Sequence, residues 1–359
     1  MMSNRIFRSL AGVLICSLLL AAGCAQPLQK PAEPEKQLPK AAEEKAVIAP
    51  AVEAAKPPAG EVVTVALHFA PNDSATYRLV TEAERGIVIE NAPPNGPNMT
   101  GSVTGNRTEI TFTQQIQSCV DQGNAVANIT IKELKYATKV KNNFTVDFDS
   151  SREKDKNSSL ARLVGQSYTI EITPAGRVSK VIDASEAQAA VAGGAGADRT
   201  VAMELLDPNA IRDRHSILPL PPPDKNQLHT GDSWSSVKTL AFGMMGAKSY
   251  ERVYTLKGVE DTRGRRVAVV EMDAIPSSQT PETEDEKAAK SNFSKMFDNT
   301  ETFTGRMTVD LTAGNVERYL EKLHSEWVAV EPADQIKDNK EPLILKMSTT
   351  LSQSIEKLD

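Results

Sequence analysis

The chain has 359 residues, 40% of them hydrophobic and 25% charged, with a formal net charge of −6. That is an ordinary soluble composition, and the length allows one large core or two modest ones. The acidic balance argues against nucleic acid as a partner, since phosphate binding needs a basic surface, and it supplies no attraction to anionic lipid.

Arg5 and Arg8 precede an apolar run from Leu10 to Ala22, and Gly23-Cys24 follows. A positive start, a short apolar stretch and small residues before a break make a secretory signal peptide. The run falls short of the roughly 20 apolar residues that span a bilayer. Leu20-Ala21-Ala22-Gly23-Cys24 resembles the lipobox of bacterial lipoproteins. The resemblance covers residues 1–24. It implies a signal peptide over 1–23, cleavage before Cys24, a diacylglycerol thioether on that sulfur, and a fatty-acylated (palmitate) amino terminus. Loss of Arg5 and Arg8 would take the charge from −6 to −8. The membrane is then a partner through the anchor at Cys24, and the protein resides in the cell envelope. In such lipoproteins Ala25, standing where Asp would favour retention, favours sorting to the outer membrane.

Residues 24–60 are the acylated cysteine and a tether with seven prolines and no aromatic residue. Such a segment buries too little apolar surface to offset its ordering entropy. Extended, it would reach on the order of 110 Å. Of three cysteines only Cys119 lies in the foldable part, at a strand end, and a buried structural thiol is expected there.

From Glu61 the apolar period is two. Val63, Val65 and Leu67 alternate, then Tyr77 and Leu79, and the Asn/Pro/Gly-rich stretch 90–104 reads as a loop. Ile110, Phe112 and Ile116 mark a strand, with a turn at Asp121–Asn124 and a return through Ala127, Ile129 and Ile131. Leu134 and Tyr136 break step by one residue, which predicts a bulge or a twist. Phe144, Val146 and Phe148 form a short strand, and Ser158–Val164 reads as a short helix. Tyr168, Ile170 and Ile172 turn through Pro174-Ala175-Gly176 into Val178 and Val181. Helices are expected over 183–192, with Asp183 or Ser185 capping, over 201–206 and over 208–217, ending at the Pro219–Pro223 spacer.

Beyond it, Gly231-Asp232 leads into Trp234 and Val237, and Val253 and Leu256 pair with Val267 and Val269. Residues 279–290 read as a solvated loop or helix start, and Phe293, Met296 and Phe297 follow at helical spacing. Met307, Val309 and Leu311 turn through Gly314 into 316–327. There Val316, Leu320, Leu323 and Trp327 fit a helix face, although a strand is favoured. Leu343–Met347 begin a last strand. The stretch 169–178 echoes 308–316, so two related halves and two hairpins of similar chemistry both stand. The expected fold is mainly β, built of long antiparallel hairpins as a half-barrel or a sandwich. A first β-rich half would span 61–218, with a helical insertion near 183–217, and a second 224–359.

Chemistry is sparse. Gly231-Asp232-Ser233-Trp234 resembles the opening of a family of serine esterases, but it lies late, with only His324, three residues after Glu321, to serve as base. It reads as a turn entering a strand. Asp147-x-Asp149-x-Ser151 resembles the start of a calcium loop, yet Arg152 stands where that loop needs glycine. No cofactor, metal or catalytic residue is implied. Phe242, Met244 and Met245, with Phe293, Met296 and Phe297, are adaptable apolar side chains that could line a cleft. The expectation is a non-enzymatic, lipid-anchored envelope protein whose β-rich domain binds an apolar ligand or lipid. The alternatives are a structural or protein-interaction module with an envelope protein as partner, and, more remotely, an esterase-like hydrolase. In layout the chain resembles β-rich bacterial lipoproteins of unknown function.

Overall fold

The computed structural model describes residues 60–359 except 93–100, 121–122, 217, 263, 278–295, 334–335, 337–340 and 359. Cys24, the tether, Phe293 and the 279–290 segment lie outside the described residues. Among those described, twelve strands form one antiparallel sheet. The first half is a meander of β2 (Ser74–Glu90), β3 (Ser102–Cys119), β4 (Ala125–Val140), β6 (Ser167–Ile172) and β7 (Val178–Asp183), with β5 (Asn143–Asp149) pairing on β4. The second comprises β9 (Ser233–Ala241), β10 (Ala247–Thr262), β11 (Arg265–Pro276), β12 (Asp298–Asp310), β13 (Asn315–Val330) and β14 (Ile344–Lys357). The last strand pairs with the first long one, from Tyr77 opposite Lys357 to Glu90 opposite Ile344. A separate two-residue pairing joins β1 (Val63–Thr64) to β8 (Gln227–Leu228).

The sheet is strongly curled. Strands lie about 4.8 Å apart, so a flat sheet would put β9 and β13 roughly 19 Å apart and β9 and β2 roughly 29 Å apart. Yet Lys238 of β9 meets Glu321 of β13 at 2.5 Å, and Arg85 of β2 donates to the carbonyl of Ala241 at 3.4 Å. The second half is therefore a half-barrel that stops short of closing, with a seam between β9 and β2. Three helices, α1 (Ser185–Ala192), α2 (Gly196–Leu205) and α3 (Pro208–His215), carry the chain from the β7 edge toward the β9 edge.

Local chemistry explains the elements. Asp207 caps α3, accepting from the backbone of Asn209 (2.8 Å), and Pro208 follows at the first turn, where its missing N–H costs nothing. Gly176 takes φ +73° in the β6–β7 turn, a conformation that a side chain disfavours. The expected bulge in β4 is Lys132, skipped where Phe112 faces Ile131 and Thr111 faces Glu133.

Several expectations are corrected. Ser158–Val164 is a 3₁₀ turn over Ala161–Leu163, preceded by another at Glu153–Asp155; Leu160 and Leu163 are buried three apart, the 3₁₀ period. The alternation at 63–67 yields only a two-residue strand, because the backbone N–H groups of Leu67 and His68 go instead to the turn carbonyls of Pro174 and Gly314. The second helix begins at Gly196, five residues early, and residues 102–104 of the expected loop belong to β3. Phe297 directly precedes a strand rather than sitting in a helix. Residues 316–327 are strand, as favoured; the helical spacing depended on Leu320, which is exposed on the outer face, whereas the bulge at Glu317 puts Tyr319 on the buried face with Val316. Cys119 is exposed, at the end of β3 beyond a bulge, where its thiol reaches the Phe69 carbonyl at 3.4 Å.

Candidate ligand cavity

The inner face of the second half is set by alternation. In β13, Val316, Tyr319, Glu321, Leu323, Ser325 and Trp327 are all buried, so a carboxylate occupies a core register. Glu321 is 4% exposed and accepts from Lys238 Nζ (2.5 Å), Arg252 Nη1 (3.0 Å) and the Tyr319 hydroxyl (2.7 Å). Burial alone would raise its pKa, but the Lys238 ammonium, the Arg252 guanidinium and the tyrosine hydroxyl outweigh that and hold it below the usual carboxylate range. Arg252 also donates through Nη2 to Ser236 Oγ (3.0 Å). One turn of the curl away, Glu301 accepts from the Tyr250 hydroxyl (2.9 Å), Lys248 (3.1 Å) and Ser325 (3.3 Å). Burial, then the Glu301 charge, pushes the Tyr250 phenol well up.

The helices fill the concave side of the first half. The His215 ring packs edge-on to Phe112 (4.9 Å, 82°), and its Nε2 shares a 2.6 Å hydrogen bond with the Tyr168 hydroxyl. Burial, then the neighbouring Arg214 charge, lowers the His215 pKa to about 3, so the ring is neutral at pH 7. Arg214 is 8% exposed; its Nη2 donates to the Leu205 carbonyl, while its buried Nη1 has no partner among the described residues.

Three cavities share lining residues, the first two against the helical layer and the third within the half-barrel. The first, about 370 Å³, sits by the turns between Leu67, Tyr77, Phe112, His215 and Val316. The second, about 490 Å³, is walled by Leu79, Ile110 and Leu205 with Arg214, Lys238 and Arg252. The third, about 150 Å³, is lined by Leu240, Phe303, Leu323 and Leu351 with Lys238 and Glu321. Arg214 borders both the first and the second; Thr81, Lys238 and Gln353 border both the second and the third. The second and third thus lie at the β9–β2 seam, and the first lies beyond it by the turns. Apolar walls with a few convergent polar groups are what ligand sites share.

The residues singled out in the sequence sit elsewhere. Phe242 is buried edge-on to Tyr250 (6.4 Å) and Trp327 (5.1 Å), closing one end of the curl, and Met245 is buried beside it in the core. The Met244 side chain lies outside the described residues. Met296 is exposed, and Phe297 packs against the core from the side. Ser233 Oγ shares a hydrogen bond with Thr255 (2.9 Å), and His324 Nδ1 with Thr350 (3.0 Å), so the structure does not bring serine and histidine together. Arg152 occupies the acidic loop, bonding Asp147 (2.9 Å) and Asp155 (2.6 Å). Among the described residues no three metal-ligating side chains cluster. Sequence reasoning missed Lys238, Arg252 and Arg214. The available signal was a charge at the inward beat of an apolar alternation, as in Tyr250-x-Arg252-x-Tyr254.

No family model and no curated protein matches the chain. Among solved structures, one described as "lipid-protein interactions in lipovitellin" aligns over 81% of this chain with a TM-score of 0.37 and 10% identity. This chain spans 26% of the length of that one.

Proposed function

We propose that this chain is a non-catalytic, lipid-anchored protein of the cell envelope whose curled sheet takes up an apolar ligand along the β9–β2 seam. The observation that carries the reading is the set of adjoining cavities, two against the helical layer and one within the half-barrel, each walled in part by aliphatic and aromatic side chains. The second cavity falls inside the roughly 300–1,000 Å³ range of ligand sites. The anchor rests on the lipobox-like Leu20–Cys24, with the tether holding the domain off the membrane. Organic extraction of the purified protein followed by mass spectrometry should recover an apolar molecule near stoichiometry; an empty extract, together with no uptake of added lipid, would end the ligand reading. The intact mass of the mature chain should show loss of residues 1–23 and acyl chains on Cys24. An unprocessed or unacylated terminus would remove the anchor.

A further inference from the structure

We propose that the ligand is an amphiphile with an anionic head, a carboxylate or a phosphate, seated in the second cavity against Arg214, Arg252 and Lys238. This deepens the reading above and rests on it. Among the described residues, two buried guanidinium nitrogens on side chains that line this cavity have no hydrogen-bond partner: Nη1 of Arg214, on the helical layer, and Nε of Arg252, on the sheet. Buried donors are ordinarily satisfied, and guanidinium groups pair best with planar or tetrahedral oxyanions.

The local charge points the same way. Arg214, Arg252 and Lys238 bring three positive charges, against Glu321 behind the wall and Asp213, which is exposed on α3. That leaves one positive charge in surplus, and the Glu321 oxygens are already taken by Lys238, Arg252 and Tyr319. A buried charge lacking a counter-ion is costly, so an incoming anion is favoured. Beyond the cations, Leu79, Ile110 and Leu205 line this cavity and Phe303, Leu323 and Leu351 line the third, so apolar surface for an alkyl chain lies on either side of the Thr81, Lys238 and Gln353 wall that the two share.

The test is calorimetric titration of the delipidated full chain with palmitate, hexadecyl phosphate, hexadecanol, hexadecyltrimethylammonium, acetate and inorganic phosphate. At least one long-chain anion should bind about tenfold or more tighter than hexadecanol, and Arg214→Gln should shrink that ratio to about threefold or less. The tighter of the two anions identifies the head. Equal binding of the anions and hexadecanol, or tighter binding of the ammonium, would overturn the anionic head while leaving an apolar site. Acetate or phosphate binding as tightly as the long chains would mean a small-anion site and overturn the amphiphile. If no long-chain probe binds, both this inference and the proposed function fall. Should Arg214→Gln not fold, the ranking on the unaltered chain decides.

Discussion

Replacing Glu321 with glutamine removes one negative charge from the middle of the half-barrel and little else, because the amide keeps the size and one acceptor. Breaking a buried ion pair by neutralising one partner costs about 3–5 kcal/mol, since the remaining charge is left uncompensated. Here the Arg252 side chain is 13% exposed and cannot reach water easily, whereas Lys238 at 30% can swing out. The lower end, about 3 kcal/mol, is therefore expected. For roughly 300 foldable residues the unfolding entropy is about 0.6 kcal/mol/K, so Tm should fall by about 5 °C at pH 7. The sign of the pH dependence is fixed by the depressed carboxyl. Its stabilisation is fully present above the unfolded value near 4.3 and is lost as pH falls through the lower folded value. Scanning calorimetry should thus show the gap between Glu321→Gln and the parent closing as pH is lowered below the unfolded value. Adding Arg252→Met to Glu321→Gln should cost less than the two single changes summed. A Tm within about 1 °C of the parent at pH 7, or a gap that is the same in acid, would refute the buried-pair account.

His215 is buried neutral, and the unfolded chain takes up its proton near pH 6.5 while the folded one does so near 3. Stability measured by urea midpoint should therefore decline as pH falls from about 6.5, above the Glu321 window, and His215→Gln should flatten that decline. Gly314→Ala would force a side chain onto φ +64° with its Cβ 2.4 Å from that of His68. Left-handed strain and overpacking together should cost about 2–4 kcal/mol in a denaturation curve, and His68→Gly, which removes the clashing Cβ, should restore the packing part; full stability in Gly314→Ala alone would contradict the geometry.

How far the chain could be read depended on range. Alternation in Tyr168-x-Ile170-x-Ile172 and in Met307-x-Val309 reports a local property, and turn glycines such as Gly176 and Gly314 fix the reversals, so hairpins were legible. Bulges at Lys132 and Glu317 shift the beat by one residue; the first was visible as a broken step, while the second was masked by the exposed Leu320, which completed a helix-like spacing. The pairing of β2 with β14 was not legible, because two alternating strands carry no mark of their partner across more than 250 residues. The candidate site was hidden for the same reason. Lys238, Arg252 and Glu321 read singly as solvated charges, and only the curl makes them neighbours. Phe242 and Met245 were rightly apolar, but their bulk closes the core rather than lining the cavities.

The topology explains where the cavities fall. Along the sheet the order runs β7-β6-β4-β3-β2 and then β14-β13-β12-β11-β10-β9, so both meanders advance in the same direction. The hairpins of the internal echo, β6–β7 and β12–β13, hold matching places, and their turns meet on either side of Leu67 and His68. Two meanders laid in one direction force the chain to cross from the β7 edge to the β9 edge. The helices and the proline segment are that crossing. It is pinned on the way by Ser216 Oγ accepting from the backbone of Val178 (2.9 Å), and by the Pro219 carbonyl accepting from Trp234 Nε1 (2.7 Å). The crossing fills the concave face of the first half with side chains such as Ile211 and His215. Among the described residues the second half shows no such insert, and it is filled by the networks around Glu321 and Glu301. Between Arg214, where the helices end, and Lys238, where the half-barrel begins, neither device reaches, and that gap along the seam is where space for a ligand remains.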